Sequence, residues 1–379
     1  MSGTSLDGVD AVLVQWTPSP QVLAHHHEPY THALREDLRA LNSPGEQEIH
    51  RAALAANEVA RVYARSIAAV LRQAQTSPED VQCVGAHGQT VRHRPQEFDG
   101  TGYTVQLLNG ALLAELSGIP VVCDFRSKDV AAGGQGAPLV PAFHAAMFGS
   151  PVVCAFGSDQ ANDVAVLNIG GIANLTLLPS SAGPKTELSQ VRGFDCGPGN
   201  VLMDSWCERH TGQRFDANGH WAAQGQVRQE LLAVALQEPY FARRPPKSTG
   251  RDLFDEALLQ SWLGRCPGAS GWPSCDVQAT LTELTALAAA QALQQEAAGT
   301  RQLLVCGGGA FNAHLMQRLA AALPEVRVRS TAEAGVPPDQ VEAMAFAWLA
   351  RAFMERQAGN LPAVTGAHGL RVLGALYPA

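Results

Sequence analysis

The sequence predicts an α/β fold with mixed sheets that is divided into two lobes. Short apolar runs alternate with longer segments of helical periodicity, which is typical of strands that alternate with helices. A glycine-rich polar turn beside short strands occurs at residues 3–8 and again at residues 168–174. Two lobes that each offer one such turn to a shared cleft would explain this recurrence. The chain has 379 residues, which at about 150 residues per domain is enough for two large lobes.

The first part of the chain reads as strands and helices in alternation. Apolar runs predict strands over Asp10–Trp16, Val81–Gly85 and Ile119–Cys123. Helices are predicted over Glu46–Gln75, which is rich in alanine with heptad-like apolar spacing, and over Gly110–Leu116.

The second part begins with a predicted hairpin whose turn is Gly170-Gly171. Its strands are expected over Val164–Leu167 and Ala173–Leu178, and a later strand over Leu303–Cys306 precedes a helix over Phe311–Leu323. Two further helices are predicted to begin at acidic N-caps, Asp276 and Asp339, and to end near Ala298 and before Gly359.

The composition argues against several classes of function. Asp plus Glu number 35 against 27 Lys plus Arg, and the net charge of −8 argues against broad electrostatic binding to nucleic acid or to a membrane. No apolar run reaches the ~18 residues of a transmembrane helix, and the N-terminal segment lacks the pattern of a secretory signal. The eight cysteines form no CxxC pair, so reduced thiols in a cytoplasmic protein are expected.

Two glycine-rich turns have the composition of phosphate-binding loops. The first, Ser2–Asp10, offers backbone N–H groups and hydroxyls to phosphate oxygens, and Asp7 and Asp10 could hold Mg²⁺ directly or through water. It is not a Walker loop, because the chain contains no GxxxxGK[ST] motif. The second, Asn168–Asn174, can bring the amides of its two glycines against a phosphate. A polar N-terminal turn and an ordinary hairpin are the alternatives.

Two later turns could serve catalysis and nucleotide binding. In the turn at residues 193–200, Asp195 precedes a Gly-Pro-Gly sequence and could act as a general base; alternatively, it serves only the turn and the helix that follows. In Cys306–Asn312, a strand, three glycines and a helix start favour a nucleotide or an anion, or form a tight turn without a ligand. Asn312 stands where a dinucleotide GxGxxG motif would have its third glycine, so a dehydrogenase is not favoured.

Residues 85–90 and 124–129 are polar stretches that follow predicted strands, where ligands bind in open α/β sheets. His87 and His93 could be read as a metal pair, but no carboxylate completes the set at a recognisable spacing. The three histidines at residues 25–27 are more typical of a solvated strand or turn than of a metal site.

The motifs in this order resemble one family. The stretches GTSLDGVD, NIGGIANLT, GFDCGPGNVLMD and PPKSTGRDLF are similar to motifs of the anhydro-N-acetylmuramic acid kinase family, and matching segments span nearly the whole chain. This family belongs to the superfamily of hexokinase, actin and the chaperone ATPases. The resemblance implies an actin-like ATPase (ribonuclease H-like) fold with a central cleft. The implied lobes are residues 1–125 plus about 360–379, and residues 126–359.

The resemblance also implies the reaction. The enzyme would use ATP and Mg²⁺ to open 1,6-anhydro-N-acetylmuramic acid with water and to phosphorylate O6, giving N-acetylmuramic acid 6-phosphate and ADP. Because the 1,6 bridge ties up O6, water must open the bridge at C1 while O6 takes the γ-phosphoryl group. Asp195 matches the residue that takes the water proton. The implied setting is cell-wall recycling and amino-sugar catabolism by a cytoplasmic homodimer.

The same match implies the binding residues. The sugar is expected to contact Thr90, Arg126 and Glu342, with the Arg126 guanidinium suited to the lactyl carboxylate. The dipole of the last long helix alone would also favour a carboxylate at Glu342. Residues 247–251 read as a polar cleft edge with no assigned role. Contacts to the phosphates and adenosine of ATP are expected from Gly3, Thr4, Ser5, Leu6, Asp7, Gly8, Val9, Asp10, Gly170, Gly171, Gly307, Gly308 and Gly309.

One feature departs from the family pattern. A strand normally runs up to the first phosphate turn in this family, whereas here Met1 lies immediately before Ser2. The sequence therefore holds no residues for that strand, and the first sheet is predicted to expose an edge.

Two other functions stay open. A glycoside hydrolase would need two facing carboxylates, for which Asp195 and Glu342 are conceivable, although the phosphate-type turns argue against it. A nucleotide-binding protein or sugar sensor with the same fold would bind both ligands without forming a phosphosugar.

Overall fold

The computed structural model describes residues 1–3, 5–149, 163–179, 188–245, 247–250 and 253–379. Of the residues considered above, Thr4, one of the eight cysteines (Cys154), and Pro246, Arg251 and Asp252 of the PPKSTGRDLF stretch lie outside these ranges. The seven described cysteines are free thiols. Within the described ranges, no helix combines the length and the apolarity that a membrane span requires.

Strands and helices alternate along the chain, which confirms the predicted α/β class. The described strands are β1 (Gly8–Gln15), β2 (Gln21–Pro29), β3 (Val84–Gly85), β4 (Gln89–Pro95), β5 (Gly102–Leu107), β6 (Val121–Cys123), β7 (Val164–Ile169), β8 (Ile172–Leu178), β9 (Arg192–Pro198), β10 (Gln302–Cys306), β11 (Arg327–Ser330) and β12 (Ala375–Tyr377). The described α-helices are α1 (His32–Ala40), α2 (Glu48–Ala74), α3 (Gly110–Ser117), α4 (Ser127–Ala131), α5 (Val140–Phe148), α6 (Val201–Thr211), α7 (Gln229–Leu236), α8 (Glu256–Gly264), α9 (Ser274–Glu296), α10 (Ala313–Ala322), α11 (Val341–Met354) and α12 (Pro362–Thr365).

The chain divides into two compact units, residues 1–143 with 340–379 and residues 144–339. The lobes expected from the resemblance include residues 126–143 and 340–359 in the second lobe, whereas in the structure these residues belong to the first unit. The reason is long-range packing, since α11 contacts both β1 and β3.

The first unit contains short sheets packed against α2. Antiparallel β1 and β2 form one sheet, β4 and β5 form a hairpin, and β3, β6 and β12 form a three-stranded sheet in the order β12-β6-β3. Apolar side chains of α2, among them Val59 and Val62, lie in the core of this unit.

Among the described residues, β1 of the first unit pairs with one strand only, in agreement with the predicted exposed edge. On one side β1 pairs with β2; on the other, Met1 and Asp10 exchange two backbone hydrogen bonds of 2.6 and 2.8 Å. Beyond this pair, the outer edge of β1 and the edge strand β3 both line one cavity of about 390 Å³, together with Ala343 and Ala347 of α11. Two strand edges therefore border the same apolar slot.

The second unit is built on a five-stranded mixed sheet in the order β11-β10-β7-β8-β9. The pairs β7–β8 and β8–β9 are antiparallel, whereas β10 runs parallel to both β7 and β11. Every residue of β7 is buried, as expected for a central strand covered on both faces. The predicted mixed sheet and the predicted hairpin at Gly170-Gly171 are confirmed, and the order agrees with the actin-like fold that the resemblance implies.

The predictions of N-caps at Asp276 and Asp339 are wrong. Helix α9 begins at Ser274 after Pro273, and the Asp276 carboxylate instead accepts hydrogen bonds from the Gln226 backbone N–H and the Arg228 side chain. Helix α11 begins at Val341, so Asp339 lies before its first turn.

Two predicted elements are shorter than expected. The strand expected over residues 81–85 is limited to β3, because only Val84 and Gly85 pair with β6. The helix expected from Phe311 starts at Ala313, where Asn312 accepts a hydrogen bond from the Leu315 N–H as N-cap.

Candidate active site

The first glycine-rich turn is tightly folded in the first unit. Leu6 is buried with φ of 56°, and its N–H lies 3.4 Å from the carbonyl oxygen of Gly3. Gly8 begins β1 at a place where a Cβ would overlap the backbone of Glu28 in β2, so the close approach of the two strands requires glycine. Ser5 and Asp7 remain exposed at the tip, where the Ser5 hydroxyl donates to the Asp7 carboxylate at 2.7 Å.

The two acidic residues of this turn differ in their surroundings. Asp7 faces solvent, whereas Asp10 lies within β1, 3.0 Å from His27 Nδ1 and 3.4 Å from His25 Nε2. Burial favours a higher pKa for Asp10, but the hydrogen bonds from His25 and His27 outweigh it and lower the pKa. Asp7 is therefore the carboxylate of this pair that is open to a ligand.

The three residues expected to bind the sugar all lie in the first unit, and one of them, Arg126, contacts His87. Arg126 donates from Nε and Nη2 to His87 Nε2 at 3.1 and 2.9 Å. Glu342 lies in the first turn of α11, as predicted, and Phe346 of the same helix contacts the His87 ring with 4.6 Å between centroids. Thr90 follows His87 by three residues at the start of β4 and accepts a hydrogen bond from Gln106.

The hydrogen-bond acceptors of the Arg126 guanidinium are uncharged. In addition to His87, it donates from Nη1 to the carbonyl of Gly136 at 2.8 Å. Burial lowers the pKa of Arg126 to about 10, although the negative charges of Glu342 and Asp129 favour the protonated guanidinium. The group is therefore charged at neutral pH. A charged guanidinium that donates to neutral acceptors is suited to an incoming anion.

Three glycine-rich turns meet in the second unit. The register of parallel β10 and β7 places Cys306 beside Asn168, so the turns that follow both strands are neighbours. A Cβ on Gly309 would overlap the side chain of Ile169 in β7. The turn after β9 joins them, because the N–H groups of Gly199 and Asn200 donate to the carbonyls of Gly171 and Gly170 at 2.9 and 2.8 Å.

Asp195 lies within β9, opposite Asn174 of β8. Its carboxylate accepts the Thr249 N–H at 3.0 Å, and burial raises its pKa to about 6 even though this hydrogen bond and the Lys247 charge both favour the ionised form. The helix that follows, α6, has Asn200 rather than Asp195 at its N-cap position. The Asp195 carboxylate therefore does not cap the helix that follows. A pKa near 6 suits a general base at neutral pH.

The sequence did not reveal the groups that hold Asp195 in place. Lys247 accepts the Asp195 N–H through its carbonyl at 3.1 Å, and the Tyr240 hydroxyl donates to the Asp195 carbonyl at 2.8 Å. The Lys247 ammonium lies over the Tyr240 ring, 4.9 Å from its centroid. The polar stretch at residues 247–250 was the available signal, but its partners are about 50 residues away in the chain.

Glycine turns at the ends of strands, beside a carboxylate whose pKa is close to neutral, are the arrangement expected of an α/β phosphotransferase. A sequence model of the anhydro-N-acetylmuramic acid kinase family matches residues 1–379. The chain belongs to this family, and the predicted enzyme class, a sugar kinase, is confirmed.

Individual relatives agree with the family match. Proteins named anhydro-N-acetylmuramic acid kinase are 56% identical over 393 residues in Albidiferax ferrireducens and 56% identical over 380 residues in Variovorax paradoxus, each covering 100% of this chain and 98% of the relative. A solved ROK family glucokinase from Streptomyces griseus, in complex with glucose and AMPPNP, covers 87% of this chain and 92% of its own at 13% identity, with a TM-score of 0.35. A likeness of that size carries no information about the site.

Proposed function

We propose that this chain uses ATP and water to convert 1,6-anhydro-N-acetylmuramic acid into N-acetylmuramic acid 6-phosphate, with Asp195 as the general base. The observation that carries the proposal is the Asp195 carboxylate, which is held by Thr249 and has a pKa raised to about 6. Above that pH it is ionised and can accept a proton from water.

In the proposed reaction, water replaces O6 at C1 and the γ-phosphoryl group of ATP moves to O6. The water oxygen bonds to C1 while the C1–O6 bond breaks, and Asp195 takes the water proton. O6 bonds to the γ-phosphorus of ATP while the bond from that phosphorus to the ADP oxygen breaks. The electron pair released from C1–O6 becomes the nucleophile for phosphoryl transfer, and Asp195 returns its proton to solvent. The protein contributes mainly positioning and charge neutralisation to the second half.

Arg126 is proposed to bind the lactyl carboxylate of the sugar. Its guanidinium has five N–H groups and donates three hydrogen bonds, to His87 and Gly136, so two N–H groups remain for a carboxylate. Thr90 and Glu342 are proposed as hydrogen-bonding partners of the sugar hydroxyl and amide groups, because both are partly exposed and both lie in the unit that holds Arg126.

The phosphates are proposed to bind the backbone N–H groups of the turns at Gly3–Asp10 and Gly170-Gly171, with the turn at Gly307–Gly309 beside the adenosine. The donor set fits Mg²⁺ at Asp7, which is exposed and already accepts a hydrogen bond from Ser5, better than at Asp10, which His25 and His27 engage. Within the described ranges, no group of three or more His, Cys, Asp or Glu could hold a metal. A magnesium ion held by phosphate oxygens, water and one carboxylate is consistent with that, and when bound it would neutralise charge on the phosphates.

The purified chain incubated with the anhydro sugar tests this proposal. We expect a phosphosugar only when ATP is present, and a loss of about 10²–10⁴-fold in turnover for Asp195→Asn. Glu208→Gln, which alters an exposed carboxylate on α6, should leave turnover unchanged. Turnover without ATP would favour the glycoside hydrolase, and tight binding of both ligands by wild type without any product would favour the sensor.

We propose a cytoplasmic homodimer, on the basis of the family resemblance and of the free thiols. Light scattering on the eluted protein tests the dimer, since a monomer mass at micromolar concentration would exclude it.

A further inference from the structure

His87 has no part in the reaction as proposed, yet it is one of the few buried polar side chains of the first unit, with 5% of its surface exposed. Its ring lies between two groups of opposite hydrogen-bonding character. Nε2 is 3.1 and 2.9 Å from the Arg126 donors, and Nδ1 is 3.2 Å from the carbonyl oxygen of Ser2.

These partners determine the protonation state of the ring. Arginine has only donors, so Nε2 must present its lone pair. A carbonyl oxygen has only acceptors, so Nδ1 must carry the proton. The ring is therefore a neutral imidazole with a single tautomer, and burial together with the Arg126 charge lowers its pKa well below the usual value.

The carbonyl that His87 binds belongs to the base of the first phosphate turn. Ser2 directly precedes Gly3, and two other hydrogen bonds tie these residues to the same segment: the Ser2 hydroxyl donates to the Gly88 carbonyl at 2.9 Å, and the Gln89 amide donates to the Gly3 carbonyl at 3.0 Å. Residues 87–89 therefore fix where the phosphate turn begins.

The same ring fixes the orientation of Arg126. Two of its five N–H groups point at one nitrogen of His87, and a third points at Gly136. Hydrogen bonds to His87 and to Gly136 therefore fix the plane of the guanidinium, and with it the orientation of the two remaining N–H groups. Loss of the His87 acceptor would leave two donors of a partly buried cation unsatisfied and free to rotate away.

We infer that His87 is a positioning residue that serves both substrates: its Nε2 holds Arg126 in place for the sugar carboxylate, and its Nδ1–H holds the base of the ATP-phosphate turn. This inference rests on the proposed function, because it takes Arg126 and Gly3–Asp10 as the binding groups for sugar and ATP.

Two substitutions separate the two links. In His87→Asn the side-chain amide reaches as far as Nδ1, so it can still donate to Ser2 but leaves Arg126 without its acceptor. In His87→Gln the amide reaches as far as Nε2, so its oxygen can accept from Arg126 while the link to Ser2 is lost. We expect His87→Asn to raise the KM for the sugar about 10-fold or more with the KM for ATP within about twofold, and His87→Gln to show the opposite pattern.

A substrate control ties the effect to the carboxylate. With the anhydro sugar that lacks the lactyl group, His87→Asn should behave as wild type, because the Arg126 orientation no longer matters. The inference is overturned if both variants raise both KM values equally, if neither changes them, or if the effect of His87→Asn persists on the sugar without the carboxylate.

A measurement on the wild-type protein keeps the inference testable even where a variant does not fold. In ¹⁵N spectra of histidine-labelled protein, His87 should show a protonated Nδ1 and an unprotonated Nε2 from about pH 5 to pH 8. A protonated Nε2, or a ring that titrates in this range, would contradict the assignment. Failure of the proposed function is distinguishable, since wild type would then make no phosphosugar while the tautomer could still be read.

Discussion

Replacement of Asp195 by asparagine is expected to make the protein more stable above about pH 6 while it removes activity. Burial raises the pKa of this carboxyl from 3.8 to about 6, so the folded state holds the proton more tightly than the unfolded state. The stability that this proton contributes is complete below about pH 4 and is lost as the pH rises through about 6. Asparagine stays neutral at every pH and does not suffer that loss.

The magnitude follows from the shift. About two pKa units at 1.36 kcal/mol each give about 3 kcal/mol as the upper value. Because the side chain is partly exposed, solvent screening reduces the expected gain to about 1–2 kcal/mol.

Urea unfolding at several pH values between about 4 and 8 measures the effect. The free energies of unfolding of Asp195→Asn and wild type should agree near pH 4 and separate between pH 4 and 6, with the variant more stable. Glu208→Gln, on an exposed carboxylate of α6, should show no such separation. A variant that is less stable than wild type at pH 8, or a difference that is independent of pH, would refute the reasoning about Asp195.

Three further outcomes follow from the structure. Activity as kcat/KM should fall below about pH 6 as Asp195 takes up a proton, and Lys247→Met should move that limb to higher pH because loss of the positive charge raises the pKa of Asp195; a pH–rate profile checks this, and an unmoved limb would exclude the charge effect. Gly309→Ala should cost about 1–3 kcal/mol of stability through overlap with the Ile169 side chain, whereas Gly308→Ala, whose Cβ would lie 3.4 Å from its nearest neighbour, should be tolerated; equal midpoints in thermal melts would contradict the packing argument. An engineered extension of about six residues of alternating apolar character before Met1 should pair with the edges of β1 and β3 and raise the melting temperature, and a matched extension containing prolines is the control; equal melting temperatures for the two would show that the slot does not accept a strand.

The parts of the fold that the sequence predicts well are those with local causes. The Gly170-Gly171 hairpin follows from two apolar runs and a turn that only glycine favours. Helix α2 follows from its apolar spacing, which the structure uses to pack against β1 and β2. In both cases the residues that form the pattern are close together in the chain.

The parts that the sequence missed depend on distant partners. Asp276 has the residue type of an N-cap, but its carboxylate accepts hydrogen bonds from Gln226 and Arg228. No local sequence pattern predicts these two partners. The same holds for the placement of residues 340–359 in the first unit, which depends on the packing of α11 against β3.

The candidate site shows the same division. Motif resemblance pointed to Asp195 and Arg126 as functional residues, and their surroundings suit those roles. It did not point to the residues that hold them: His87 lies 39 positions from Arg126, and Tyr240 lies 45 positions from Asp195. Residues that act by contact across the fold carry no spacing that a single sequence could reveal.

The central claim is that one turnover combines opening of the 1,6 bridge by water with phosphorylation of O6. The most direct measurement is mass spectrometry of a reaction run in ¹⁸O-water with ATP, Mg²⁺ and 1,6-anhydro-N-acetylmuramic acid, quenched before the anomeric hydroxyl exchanges with solvent. The account predicts one ADP for each phosphosugar, with ¹⁸O at C1 and none in the phosphoryl group. Label in released inorganic phosphate without phosphosugar, or opened sugar formed without ATP, would contradict it.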